Sequence, residues 1–196
     1  ELLFLSQARF SPGHPLHKVR VMPDDVRLPP IWILGSSGAS AAAAGASGFG
    51  YAFASHFSPE PASPAIAAYK AAFDASEQFA RPHAILAVGA ICAPTEAEAQ
   101  DLASTMELVW LRMSRGEHLP LPSPEEAKAY PWSESERLAV QRMRGPSVIG
   151  TAAQVRAGLE AMRDASDADE LMIVTNVWNH EARLRSYEMI ADAFDG

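Results

Sequence analysis

The chain has 196 residues, of which 48% are hydrophobic and 20% are charged, a composition typical of an ordinary globular protein. Its formal charge of −8 excludes polyanion binding as the main role, so we expect no nucleic-acid partner. The sequence has one cysteine, which cannot form an internal disulfide, and no His or Cys spacing typical of a metal site. No apolar run reaches the roughly 20 residues of a membrane helix. These features predict a cytoplasmic protein.

The first 30 residues predict a helix end followed by a long loop. Residues 1–5 have the pattern of the last turns of an amphipathic helix, so we expect this chain to be the C-terminal piece of a longer protein. Residues 8–30 are rich in proline, which excludes a regular element there.

Three strand-helix units are predicted next. The apolar run Ile31-Trp32-Ile33-Leu34 is typical of a strand buried on both faces. Thr95 and Glu98 form a capping box that opens a helix reaching about Arg115. The predicted strands are 31–34, 50–54 and 83–91, and their helices are 39–46, 65–79 and 96–115.

Residues 116–146 interrupt this alternation with several prolines, and we interpret them as an insertion that carries one or two helices, one opened by Ser123. A capping box at Thr151 then predicts a helix that leads into a fourth strand at 170–174. The last predicted helix is capped by Asn179 and reaches about Phe194.

Strands that alternate with helices favour right-handed crossovers and a parallel sheet. A complete (β/α)8 TIM barrel takes about 250 residues, so this chain is too short for eight units. The predicted fold class is α/β, with about four strand-helix units in one domain, residues 1–196. An open doubly wound sheet is the alternative to part of a barrel.

The segment from Gly35 to Ser40 joins a strand to a helix and is the strongest candidate site. It combines backbone N–H groups, serine hydroxyls and the positive end of a helix dipole, which together hold a phosphate without a lysine. It matches neither the Walker A loop nor the dinucleotide fingerprint. A serine-capped turn with no ligand is the structural alternative.

The same segment permits a second interpretation, a serine hydrolase. Gly35-Ser36-Ser37-Gly38-Ala39 is one residue from the nucleophile elbow Gly-x-Ser-x-Gly, with Ser37 as the nucleophile. Asp169 and His180 follow in the order of the α/β-hydrolases.

A few other side chains have weaker functional indications. His56 follows a strand and is expected at the rim where barrels bind substrates. Arg183 or Arg185 could reach an anion at the strand ends, with a surface ion pair as the alternative. The pattern predicts a core role for five residues: Trp32, Met106, Trp110, Met113 and Cys92.

Residues 29–41, Pro-Pro-Ile-Trp-Ile-Leu-Gly-Ser-Ser-Gly-Ala-Ser-Ala, resemble a segment shared by the bacterial luciferase-like flavin-dependent monooxygenases. Later landmarks occur in the same order: residues 51–57, Gly150-Thr151, residues 169–172 and residues 183–187. The resemblance implies the C-terminal half of a (β/α)8 barrel.

This resemblance also implies a cofactor and partners. Gly35, Ser36, Ser37 and Ser40 match the loop that binds the flavin phosphate in that family, although bacterial luciferase has an acidic residue where this chain has Ser36. The implied cofactor is FMN, with the deazaflavin F420 left open, and the implied reactants are O2 and a small organic substrate. A separate flavin reductase and a homo-oligomer are further expectations. No catalytic residue is implied, and a non-catalytic half-barrel that only assembles with partners stays an alternative.

Overall fold

The computed structural model describes residues 2–23, 26, 28–58, 60–143 and 146–195 of the chain. Its strands are β1 (Trp32–Gly35), β2 (Gly50–Ala54), β3 (Ala84–Cys92), β4 (Ser147–Gly150) and β5 (Glu170–Val174). Its helices are α1 (Leu2–Ser6), α2 (Gly38–Ala46), α3 (Ala62–Ala71), α4 (Glu96–Ser114), α5 (Pro124–Ala129), α6 (Glu134–Met143), α7 (Ala152–Ser166) and α8 (His180–Phe194).

The chain divides into two compact units, Glu1–Ile31 and Trp32–Gly196. In the first unit, the short helix α1 is followed by irregular backbone, as the prolines predict. Phe10 is its buried residue, and its ring stacks on His14 with centroids 4.1 Å apart. His17 Nδ1 lies 2.9 Å from the carbonyl oxygen of Phe10, so both histidines have local structural contacts.

The second unit is built on a parallel five-stranded sheet. β1 pairs with β2, β2 with β3, and β3 with both β4 and β5. Residues Ile85–Ala87 pair with β2 and β5 at once, so these two strands lie on opposite sides of β3. Gly89 pairs with β4 and β5, so β4 lies on the β2 side, beyond the end of β2. Among the described strands, β1 and β5 therefore form the two lateral edges, and β4 also pairs on one side only, with β3.

The two faces of the sheet differ because side chains alternate along each strand. Tyr51, Phe53, Leu86 and Val88 point to one face, where α2, α3, α7 and α8 cover them in the main core. The residues that alternate with these along each strand point to the other face. There α4 covers only the C-terminal end, through the cluster of Ile91, Ile149, Ala103 and Val177. This arrangement, a parallel sheet with crossover helices on one face, is that of the predicted half of a (β/α)8 barrel.

Most element positions agree with the sequence predictions. β2, β5 and the caps at Thr95, Ser123 and Asn179 are confirmed. The prediction that β1 is buried on both faces was wrong: Leu34 is 62% exposed, since no helix covers that face of an edge strand. The helix predicted over 65–79 ends at Ala71, and β4 was missed because its four residues lie next to a proline-rich segment.

No helix in the described ranges combines the length and apolarity that crossing a membrane requires.

The segment 116–146 folds onto α4 through α5 and α6. Leu108 and Leu111 of α4 pack with Ala127 and Val140 in a small core of their own. Arg112 and Arg115 at the end of α4 form ion pairs with Glu126 and Glu136. These contacts hold the predicted insertion against the helix that precedes it.

Glu136 makes this attachment pH-dependent. Hydrogen bonds from the backbone and side chain of Ser133 and from the guanidinium of Arg115 lower the pKa of Glu136 from its usual 4.5 to about 2. A carboxylate whose pKa is lowered in the folded state stabilises the fold fully above pH 4.5, and this contribution is lost as the pH falls towards 2. We therefore expect Glu136→Gln to lower the urea midpoint at pH 6 and to have a smaller effect at pH 3. Glu134→Gln, on the same helix, is the control; an equal loss at both pH values for Glu136→Gln would contradict the assignment.

Candidate functional site

The loop between β1 and α2 places three serines at the C-terminal edge of the sheet. Ser37 is the N-cap of α2, and its Oγ accepts a hydrogen bond from the backbone N–H of Ser40 at 3.4 Å. The Ser40 hydroxyl donates to the carbonyl oxygen of Ser37 at 2.9 Å. Glycine fits position 35 in this turn, because a Cβ there would clash with the side chain of Ser40. Ser37, Gly38 and Ala39 are exposed, so the first turn of the helix faces solvent.

Tyr51 supports this loop from β2. Its side chain is fully buried, and its hydroxyl donates to the Ser37 carbonyl at 3.3 Å and lies 3.5 Å from Ser40 Oγ. Burial raises the pKa of the Tyr51 phenol, while the hydrogen bond with Ser40 lowers it. The phenol therefore stays protonated and remains a donor at neutral pH. This role of Tyr51 was not predictable from the sequence, because Tyr51 has the pattern of any aromatic residue in a buried strand.

A cavity of about 160 Å³ lies at the same edge of the sheet, between the strand ends and α4. Ile91, Ile149 and Val174 of the strands form one side, and Met106 and Trp110 of α4 form the other. The polar groups that reach it come from His56, Glu107, Ser147 and Asn176.

Buried hydrogen bonds fix the strand ends around this cavity. Thr175 is 2% exposed; its hydroxyl donates to the carbonyl of Ala90, and its N–H donates to the hydroxyl of Tyr187 at 2.9 Å. The turn that carries Asn176 is therefore attached to both β3 and α8. His56 lies in the turn after β2, as predicted for a rim residue, with Nδ1 3.4 Å from the carbonyl oxygen of Ala87.

Several predicted roles need correction. Trp32 and Met113 are exposed, not in the core: Trp32 lies on the edge strand β1 and packs edge-on against the rings of Phe79 and His83, and Met113 lies near the C-terminal end of α4. Met106 and Trp110 are half-buried and line the cavity, and Trp110 also packs against the small core around Leu108, as predicted. Cys92 is buried as predicted, and burial raises the pKa of its thiol.

The two arginines considered for anion binding have other contacts. Arg185 pairs with Glu98 at 2.6 Å, the surface ion pair that was the alternative. The guanidinium of Arg183 lies 3.1 Å from His180 Nδ1.

The hydrolase triad is not assembled. Asp169 precedes β5, and its Oδ2 accepts a hydrogen bond from the N–H of Ala84 at the start of β3. Ser37 follows the end of β1, and strands β2 and β3 lie between β1 and β5. Three strand spacings therefore separate Ser37 from Asp169, a distance on the order of 14 Å across the sheet alone. His180 begins α8, and the contact of its ring is with the guanidinium of Arg183, 3.1 Å away. The serine-hydrolase interpretation was wrong, because chain order did not bring these residues together.

The model of the luciferase-like monooxygenase family matches residues 6–169 of this sequence. The chain therefore belongs to the luciferase-like monooxygenase family, as the segment around Gly35–Ser40 predicted. A protein of Escherichia coli K12 called luciferase-like monooxygenase is 35% identical over 183 residues, which cover 93% of this chain and 55% of that protein. The uncharacterised protein YvbT of Bacillus subtilis is 37% identical over 182 residues, which cover 93% of this chain and 54% of YvbT. The chain spans about half the length of the curated relatives it matches.

Solved structures give the same fold. The crystal structure of apo-MsnO8 superposes with a TM-score of 0.76 at 34% identity, covering 93% of this chain and 55% of that one. The oxygenating constituent of 3,6-diketocamphane monooxygenase from Pseudomonas putida, solved in complex with FMN, has a TM-score of 0.56 at 17% identity, covering 94% of this chain and 53% of that one. The second likeness concerns the fold alone.

Proposed function

We propose that this protein is a flavin-dependent monooxygenase that acts with reduced flavin and O2 on a small organic substrate, and that the loop Gly35–Ser40 holds the phosphate of FMN. The family match over residues 6–169 carries this proposal. The loop supports it because its hydroxyls and helix N-terminus lie exposed at the C-terminal edge of a parallel sheet, where barrel enzymes bind their ligands.

The loop has the donors that a phosphate dianion needs. The N–H groups of Gly38 and Ala39 belong to the first helical turn, which has no intrahelical acceptors for them, and the helix dipole favours an anion there. The hydroxyls of Ser36, Ser37 and Ser40 add further donors at the same point. When Ser40 turns its hydroxyl proton towards a phosphate oxygen, Tyr51 still donates to the Ser37 carbonyl, so that carbonyl keeps a partner.

The flavin, when bound, supplies the reaction with O2, and the protein contributes binding, orientation and exclusion of water. In this chain the apolar walls of the cavity beside α4 serve that exclusion, since Ile91, Ile149 and Val174 offer no polar side-chain group. Buried Thr175 keeps the end of β5 in place beside them. A separate flavin reductase is the proposed source of reduced flavin.

Titration with FMN and riboflavin tests the phosphate assignment directly. The two ligands differ only in the phosphate, so we expect FMN to bind at least about tenfold more tightly, the ratio that corresponds to about 1.4 kcal/mol. Quenching of flavin fluorescence measures both dissociation constants, and F420 in a parallel titration decides between the two cofactors. Equal affinities for FMN and riboflavin would refute the role of the loop.

A further inference from the structure

The main-chain carbonyl of Ser37 has more hydrogen-bond donors around it than it can accept. The N–H of Ala41 donates to its oxygen at 3.2 Å, as the first intrahelical bond of α2. The Ser40 hydroxyl lies 2.9 Å from the same oxygen, and the Tyr51 hydroxyl lies 3.3 Å from it. A carbonyl oxygen has two lone pairs, so two of these three donors are enough to satisfy it. One hydroxyl proton is therefore available for another acceptor.

The two hydroxyls differ in where else they can donate. Tyr51 is fully buried, and among the described residues its hydroxyl reaches the Ser37 carbonyl and, at 3.5 Å, Ser40 Oγ. Its ring packs against that of Tyr69, with centroids 5.5 Å apart, which holds the phenol in place. Ser40 is half-buried in the first turn of α2, next to the exposed start of the helix. Ser40 is therefore the hydroxyl that can turn towards a ligand.

We propose that Tyr51 is a positioning residue for the phosphate of FMN: it satisfies the Ser37 carbonyl and so releases the Ser40 hydroxyl to donate to a phosphate oxygen. This inference rests on the proposed phosphate role of the loop Gly35–Ser40. When the phenol proton points to Ser40 Oγ instead, it polarises the Ser40 hydroxyl towards the same ligand. In both arrangements Tyr51 acts through Ser40 and does not itself contact the phosphate.

The variant Tyr51→Phe removes the hydroxyl and keeps the buried ring. Without that hydroxyl, the Ser37 carbonyl retains a single donor when Ser40 turns to the phosphate, so binding costs one hydrogen bond. We expect FMN affinity to fall about threefold to tenfold, the range for one net hydrogen bond, while riboflavin affinity stays nearly constant. Flavin fluorescence titration of the 196-residue chain measures both dissociation constants. Their ratio is the readout, since a general loss of structure weakens both ligands.

Tyr69→Phe is the matched control. The Tyr69 hydroxyl is also buried; it donates to the carbonyl of Phe49 at 2.9 Å and accepts from the N–H of His83 at 3.0 Å. These two partners precede β2 and β3, at the opposite end of the sheet from the loop. We expect Tyr69→Phe to lower the midpoint of thermal unfolding and to keep the full preference for FMN over riboflavin.

A double-variant cycle tests whether Tyr51 acts through Ser40. Ser40→Ala alone should reduce the preference for FMN, and it provides a test that does not depend on the folding of Tyr51→Phe. Adding Tyr51→Phe to it should cause no further loss, because the hydroxyl that Tyr51 releases is already absent.

Full preference for FMN in Ser40→Ala or in folded Tyr51→Phe would overturn the proposal, and so would additive losses in the double variant. Equal affinities of the wild type for FMN and riboflavin would refute the phosphate role of the loop itself, and this inference with it. The wild-type titration thus separates failure of the proposed function from failure of the role of Tyr51.

Discussion

The double variant Ser37→Ala/Ser40→Ala should weaken FMN binding by about 1–3 kcal/mol, a loss of about 5- to 150-fold, while riboflavin affinity stays nearly constant. Both hydroxyls lie at the N-terminal end of α2, so the variant removes the two hydroxyls that we propose as phosphate donors and leaves the buried core unchanged. Flavin fluorescence titration of wild type and variant with both ligands measures the effect.

Ser37 also caps α2, so loss of the cap must be distinguished from loss of the phosphate ligand. Ser123→Ala is the matched control, because Ser123 Oγ accepts from the N–H of Glu126 at 3.2 Å in the same N-cap arrangement, away from the loop. We expect this control to retain FMN affinity. A similar loss for FMN and riboflavin in the double variant would mean that the serines support the fold and do not bind the phosphate.

The 196-residue chain should self-associate at micromolar concentration. Its sheet ends in β1 on one side and β5 on the other, and among the described strands neither has a partner on its outer edge. Unpaired strand edges pair readily with another chain. The uncovered face of these strands also exposes apolar side chains, Leu34 at 62% and Met172 at 49%. Size-exclusion chromatography with light scattering measures the association.

Two variants that introduce a lysine test whether copies of the chain associate through this uncovered face of the sheet. Leu34→Lys and Met172→Lys should each weaken association by about 1.5–3 kcal/mol, the value for burying one large aliphatic side chain, and so raise the monomer fraction. Leu184→Lys is the control, since Leu184 is 47% exposed on α8, which lies on the helix-covered face. A wild-type chain that stays monomeric at micromolar concentration would contradict this prediction.

The local elements were predictable because the information for them is local. N-cap residues, alternation and breakers specified α4, α5, α8, β2 and β5 closely, since capping depends on residues three apart in the chain. The turn at Gly35–Ser40 was predictable for the same reason, since Ser37 caps α2 through a residue three positions away, whereas its role in binding a phosphate stays a prediction. The family segment was likewise contiguous, and its match was confirmed.

Only the tertiary structure decided what depends on neighbours in space. Trp32, Met106 and Trp110 share an apolar pattern with core residues, yet Trp32 is exposed and the other two line a cavity, because burial depends on which elements cover each face. The support of the loop by Tyr51 and the hydrogen bond from Thr175 to the carbonyl of Ala90 both arise from contacts between neighbouring elements. The Ser37, Asp169 and His180 order was compatible with a triad in sequence, and the sheet separated them. Sequence determined the family and its elements, and packing determined which side chains meet.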